Sequence, residues 1–159
     1  MRAVDLDSDS FLARWFLSGA LHSAKRLDES MASGEMALAM SGRHPCVVGS
    51  LATIFADCGK PVDAEALYEE LVARARRSYV QPSQLAIAAS AADKKDEAIR
   101  HARIAFETRD AAIAQFGLGL PPGPDVFIHW PFNARLHKYL RFRELLSVSA
   151  RTKIPKIAD

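Results

Sequence analysis

Several features that mark particular classes of protein are scarce or missing in this sequence. The 159 residues contain two cysteines, Cys46 and Cys58. Two cysteines are too few for a disulfide-stapled scaffold, and we interpret them as free thiols in a reducing cytosol. Positive and negative charges nearly balance, with a net charge of +2, so overall charge gives no support to nucleic-acid binding.

Long apolar runs and targeting segments are also missing. No run of about eighteen apolar residues occurs, and we therefore expect no transmembrane helix. The opening residues MRAVDLDSDS are acidic and contain no apolar stretch of the kind found in secretory signals. We expect a cytoplasmic chain with no membrane contact. No segment alternates polar and apolar residues for long, so we expect no β-sheet.

No group of residues has the spacing of a catalytic or metal site. His44 and Cys46 stand two positions apart, and such residues do not face each other at the start of a helix. Cys58 follows Asp57, whose negative charge opposes formation of a thiolate. The sequence GLGLPPGPD at 117–125 is not followed by Gly-Lys-Ser/Thr, so we interpret it as a connector and not as a phosphate loop. We expect no enzyme activity, no metal and no cofactor.

What the sequence does contain is a pattern of small and apolar residues that recurs every 34 positions. One column holds the small residues Ser30, Ala64 and Ala98. Four more columns keep the interval: Leu17, Leu51 and Leu85; Ser18, Ala52 and Ala86; Leu21, Phe55 and Ala89; Ala37, Leu71 and Ala105. The spacing within each unit is helical, so each unit predicts two antiparallel helices with small residues where they cross. One unit cannot bury both of its faces, and neighbouring units must stack.

The predicted helix bounds follow from the repeat and from the positions of proline and glycine residues. Pro45, Pro61 and Pro82 suit the first turns of helices, and Gly59 interrupts the pattern before Pro61. We predict helices near 10–23, 27–41, 45–57, 61–77, 82–92 and 95–108. The chain is interpreted as a single domain, 1–159, with repeats at about 9–42, 43–76 and 77–110.

These columns resemble the tetratricopeptide repeat (TPR) family over about residues 9–109. Where that family has Gly or Ala, this sequence has Ser18, Ala52 and Ala86, and its later alanine position holds Ala64 and Ala98. The resemblance implies an all-α fold, a right-handed α-solenoid of three TPR-like helix pairs. A generic α-solenoid is the alternative.

A second resemblance is to the C-terminal TPR segments of bacterial transcription regulators, nucleotide cyclases and serine/threonine kinases. The matching residues are Tyr79, Val80, Pro82, Arg141, Phe142, Leu145 and Leu146. This resemblance implies a module or terminal part of a larger bacterial regulatory protein. The opening AVDLDS reads like the end of a preceding helix; the alternative is a short protein that starts with a frayed turn.

Residues after the last repeat predict a cap. We expect the region 111–148 to cover the exposed edge of the third unit, with a capping helix in KYLRFRELLSV, and the tail 149–159 to be flexible. The alternative for VFIHWPF, residues 126–132, is an aromatic anchor for a partner.

The first helix of each unit is expected to line a concave groove. The predicted groove residues are Leu12, Trp15, Gly19, His22, Gly49, Thr53, Ala56, Ser83, Ile87 and Ser90. We expect Trp15 to be the exposed aromatic residue. The groove lacks the Lys, Arg and Asn with which some TPR domains grip a peptide carboxylate. We predict a non-catalytic scaffold for a protein or peptide partner; the alternatives are a homo-oligomerising unit such as a homodimer, and a small-molecule sensor.

Overall fold

The computed structural model describes residues 10–110 and 135–139, apart from the side chain of residue 137. These residues form six α-helices and one short 3₁₀ turn, with no strand among them. The helices are α1 Phe11–Ser23, α2 Leu27–Met40, α3 Pro45–Asp57, α4 Pro61–Ala75, α5 Pro82–Ala91 and α6 Lys95–Glu107, and the 3₁₀ turn is Leu136–Lys138. The all-helical prediction is confirmed over this part of the chain, and every predicted helix end lies within two residues of the observed end. The predicted capping segments 111–134 and 140–148, and the tail 149–159, lie outside the described residues.

The turns within the three helix pairs share one backbone conformation. Lys25, Gly59 and Asp93 have φ angles of 63°, 74° and 56°, and they stand 34 residues apart. In each turn the next amide donates a hydrogen bond to a carbonyl five residues earlier: Arg26 to Leu21 at 3.0 Å, Lys60 to Phe55 at 2.8 Å, and Lys94 to Ala89 at 2.9 Å. This is the pattern of a Schellman helix end, which turns the chain sharply into the following helix. The repeat is therefore present in the backbone as well as in the sequence.

The helices pack as successive hairpins. Helices α1 and α2, α3 and α4, and α5 and α6 each contact one another extensively. Between pairs, α3 packs on α2 and on α5, and α4 packs on α5, whereas α1 and α3 have few contacts. Helix α5 lies deepest, since every residue from Ser83 to Ala91 is buried. The centre of the core is thus the contact between the second and third pairs.

Three of the five sequence columns are fully buried in all three units. Their members are Ser18, Ala52 and Ala86; Ser30, Ala64 and Ala98; and Ala37, Leu71 and Ala105. The first unit has serines where the others have alanines. The Ser30 hydroxyl donates to the Ser18 carbonyl at 2.8 Å, and the Ser18 hydroxyl donates to the Trp15 carbonyl at 2.7 Å. Both buried hydroxyls are therefore satisfied, which removes the cost of replacing alanine by serine in the core.

Polar pairs separated by 35 residues join neighbouring units. Trp15 Nε1 donates to Ser50 Oγ at 2.9 Å, which joins α1 to α3. The Cys46 thiol lies 3.3 Å from Gln81 Oε1, at the residue that precedes α5. Gly49 allows α3 to approach α5 closely, because a Cβ atom there would lie 3.0 Å from Gln84 Oε1. These contacts set the stacking of the pairs more specifically than apolar burial alone.

Candidate functional site

Asp57, the last residue of α3, joins three separate parts of the chain. One of its carboxylate oxygens shares a hydrogen bond of 2.8 Å with His22 Nε2, near the end of α1. The other oxygen accepts two hydrogen bonds from Arg135, from Nε at 3.0 Å and from Nη2 at 2.7 Å. Both oxygens of the carboxylate are therefore occupied, and the short segment 135–139 is bound to the end of α3.

The electrostatics of this position favour a cation. The C-terminal end of a helix carries partial negative charge, so an Asp there adds to the negative potential and favours a positive partner. Burial by itself would raise the pKa of Asp57, but the hydrogen bonds from His22 and Arg135 outweigh it and lower the pKa to about 2. Asp57 is consequently ionised at neutral pH and presents a fixed negative charge to the guanidinium of Arg135.

The rest of the segment is held by apolar and aromatic contacts. Leu136 is fully buried, and its 3₁₀ turn packs on α5. Tyr139 is half-buried against the core, and Lys95 Nζ, at the start of α6, lies 5.8 Å from the centre of its ring. Burial raises the pKa of Tyr139, and the negative charge of Asp93 raises it further. We call the surface of α3 and α5 that carries residues 135–139 the α3–α5 face.

The structure places most of the predicted groove residues in the interior. Leu12 is 47% exposed and Ala56 is half-buried. The buried ones are Trp15, Gly19, His22, Gly49, Thr53, Ser83, Ile87 and Ser90. The positions on α5 lie on the helix that bears the segment 135–139. Whether these residues contact a partner stays a prediction.

The expectation that Trp15 is exposed was wrong, since it is 9% exposed. The indole N–H reaches across to Ser50 on α3, which draws the ring into the contact between the first two pairs. Its neighbour Phe16 is 52% exposed, with the two ring centres 5.3 Å apart. The exposed aromatic side chain on α1 is therefore Phe16.

Sequence reasoning missed the residues that hold the segment, namely Asp57, Arg135, Leu136 and Tyr139. One signal was available in the sequence. Asp57 stands at the end of a predicted helix, where an acid is electrostatically unfavourable unless a cation accompanies it. Arg135 lies 78 residues away, and no local pattern connects the two positions.

The described part of the chain contains no cluster of three His, Cys, Asp or Glu side chains that could hold a metal ion. Burial, with the negative charge of Asp110, raises the pKa of the Cys46 thiol to about 11, so it is protonated at neutral pH. Two open depressions lie on the surface. One, of about 380 Å³, is lined by residues of α6. The other, of about 430 Å³, is lined by residues of α4 and by residues 42–43. None of the described helices is long and apolar enough to cross a membrane.

Comparison with known proteins finds no match to this chain among protein-family models, curated proteins or solved structures. The resemblance to TPR proteins thus rests on the repeat columns themselves.

Proposed function

We propose that this chain is a non-catalytic scaffold that binds a segment of another protein on the α3–α5 face. In this proposal the helix pairs form a right-handed α-solenoid of TPR-like units, and the chain serves as a module of a larger cytoplasmic, bacterial regulatory protein. The observation that carries the proposal is that the face already holds a short peptide segment. It does so with a buried leucine, a charged hydrogen-bonded pair and an aromatic contact, which are the elements of peptide recognition.

A protein segment suits this face better than a small molecule or a nucleic acid. The two depressions described above are open, whereas small-molecule sites are enclosed and concave. Where Arg135 binds, the face presents the ionised carboxylate of Asp57, which repels phosphate. A short peptide in a 3₁₀ turn, with a cationic and an apolar side chain, complements both parts of the surface.

The proposal is tested by selecting random displayed peptides against the chain carrying Arg135→Glu, which weakens the hold of the internal segment. Amide chemical shifts of the 17.5 kDa chain then locate the binding site. We expect selected peptides to shift amides in the last turns of α3 and α5. Matched selection against the chain carrying Val62→Glu, a substitution at an exposed position of α4, is the control. Shifts confined to α4 and α6, or no enriched peptide, would contradict the proposal.

A second candidate function, self-association through α1, is favoured by one observation. Leu12 and Phe16 are both exposed. The positions 34 residues later in the second unit are less exposed: Cys46 is half-buried, with its thiol 3.3 Å from Gln81 Oε1 of the third unit, and Ser50 is buried and accepts a hydrogen bond from Trp15. The first pair therefore exposes apolar groups at the positions that later units use for stacking, and a second copy of the chain would cover them.

A further inference from the structure

Residues 135–139, Arg-Leu-His-Lys-Tyr, are bound at three points that belong to three different helices. Arg135 contacts the end of α3, Leu136 packs on α5, and Tyr139 meets the first residue of α6. Lys138 between these points is exposed. Anchoring side chains separated by an exposed one are also found in peptides bound to protein surfaces.

We propose that this segment is an internal ligand, and that the partner of the α3–α5 face is a protein segment with the same pattern, Arg-Leu-x-x-Tyr, which displaces residues 135–139 when it binds. The inference rests on the proposed function. It adds the chemistry of the partner and a competition between an internal and an external ligand for one face.

The first position of the pattern is set by Asp57. Two nitrogens of the Arg135 guanidinium, Nε and Nη2, donate to a single oxygen of the carboxylate. A lysine has one nitrogen and cannot form this pair of bonds from a planar fork. The end of α3 adds its own negative potential, so an acidic residue at this position would be repelled.

The second and fifth positions are set by burial and by a cation. Leu136 is fully buried in the core cluster that includes Ile87, so the second position requires an apolar side chain of similar size. At the fifth position an aromatic ring lies over Lys95, an arrangement that favours Tyr, Phe or Trp over aliphatic residues. The exposure of Lys138 leaves the fourth position free to vary.

Tethering gives the internal segment an advantage over any free peptide. A segment on the same chain acts at an effective concentration on the order of millimolar, so an external ligand must compete against it. A substitution that weakens the binding of residues 135–139 without changing the α3–α5 face should therefore increase the measured affinity of that face for an added peptide. Arg135→Glu does this, because it places a negative charge against Asp57.

The experiment measures fluorescence anisotropy of a labelled peptide spanning residues 133–141, NARLHKYLR, added to the full chain. We expect it to bind the chain carrying Arg135→Glu at least about tenfold more tightly than the unmodified chain. A scrambled peptide and a peptide carrying Arg135→Glu are the matched controls, and both should bind weakly. Helical circular dichroism checks that each protein is folded.

A charge exchange sharpens the test. The chain carrying Asp57→Arg should prefer the peptide carrying Arg135→Glu over the unmodified peptide, which reverses the preference of the first variant. A merely structural role for Asp57 predicts no such reversal. If Asp57→Arg does not fold because the hydrogen bond between His22 and Asp57 is lost, the chain carrying Leu136→Ala replaces it. That chain should bind the unmodified peptide more tightly than the unmodified chain does.

The outcomes separate this inference from the proposed function. If a folded Arg135→Glu chain binds the peptide no better than the scrambled one, the internal-ligand inference is wrong. Random peptides of another pattern that still bind the α3–α5 face would leave the proposed function intact. Equal binding of the peptide by the unmodified and Arg135→Glu chains would refute the competition between the two ligands.

Discussion

The stability of this protein should fall as the pH is lowered through a range set by His101 on α6. His101 is buried, and the ring of Tyr68 on α4 meets it edge-on with centres 6.4 Å apart. Burial lowers the pKa of His101 from its ordinary value of 6.5 to about 4, with help from the neighbouring charge of Arg100 and against the opposing effect of Glu97. The folded protein therefore holds His101 neutral at pH values where the unfolded chain binds a proton.

The sign and size of the effect follow from that difference. Well above pH 6.5 neither state is protonated, and the full stability is present. As the pH falls from 6.5 toward 4, the unfolded chain takes up the proton first, so the free energy of unfolding decreases. With a pKa of about 4 in the folded state, about 2 kcal/mol should be lost between pH 8 and pH 5.

The assay is urea denaturation followed by helical circular dichroism at a series of pH values, with His101→Gln as the matched variant. We expect the unmodified chain to lose about 2 kcal/mol more than the variant between pH 8 and pH 5. Asp57 does not interfere between pH 8 and pH 5. Its pKa is lowered from 3.8 to about 2 in the folded protein, so its contribution to the free energy of unfolding is lost only as the pH falls below about 3.8. Equal losses in the two proteins would refute the argument that His101 is buried in its neutral form.

Three further predictions concern the repeat and its edge. Gly59→Ala should lower the free energy of unfolding by about 1–2 kcal/mol in urea denaturation, because φ at Gly59 is 74° and an L-residue is strained there. No atom lies within 4 Å of the added Cβ, so backbone strain alone sets this cost. Lys25→Gly, at the equivalent turn, should leave stability unchanged or raise it. Ala64→Leu should cost about 1–3 kcal/mol by overpacking a fully buried helix crossing, whereas Val62→Ala, at an exposed position, should change stability by less than about 0.5 kcal/mol. If the exposed face of α1 joins two copies, light scattering should show a dimer that Phe16→Asp converts to a monomer; an unchanged mass would contradict that role.

The predicted helix bounds were accurate because their signals are local. Pro45, Pro61 and Pro82 each begin a helix, since proline has no N–H to lose in the first turn. The small-residue columns were also reliable predictors of burial. An alanine where two helices cross allows them to pack closely, so it predicts burial independently of the other helices around the pair.

The candidate site was less predictable because it depends on side chains that meet across large separations. Trp15 looked like an exposed aromatic residue, and only the stacking of α1 on α3 brings its N–H within 2.9 Å of Ser50. The 34-residue columns describe equivalent positions, whereas three of the hydrogen bonds between units join positions 35 apart. The repeat therefore predicts which residues occupy equivalent positions in the units, but it does not predict which residues contact one another.

The sequence by itself determined that the described chain is helical, where its helices begin and end, and which small residues are buried. These properties follow from backbone preferences and from a periodicity that each unit carries within its own residues. Tertiary structure alone decided that Asp57 receives its cation from Arg135 and that Leu136 packs on α5. These contacts join residues that are far apart in the sequence, so they depend on the shape of the assembled helical surface and not on any local pattern.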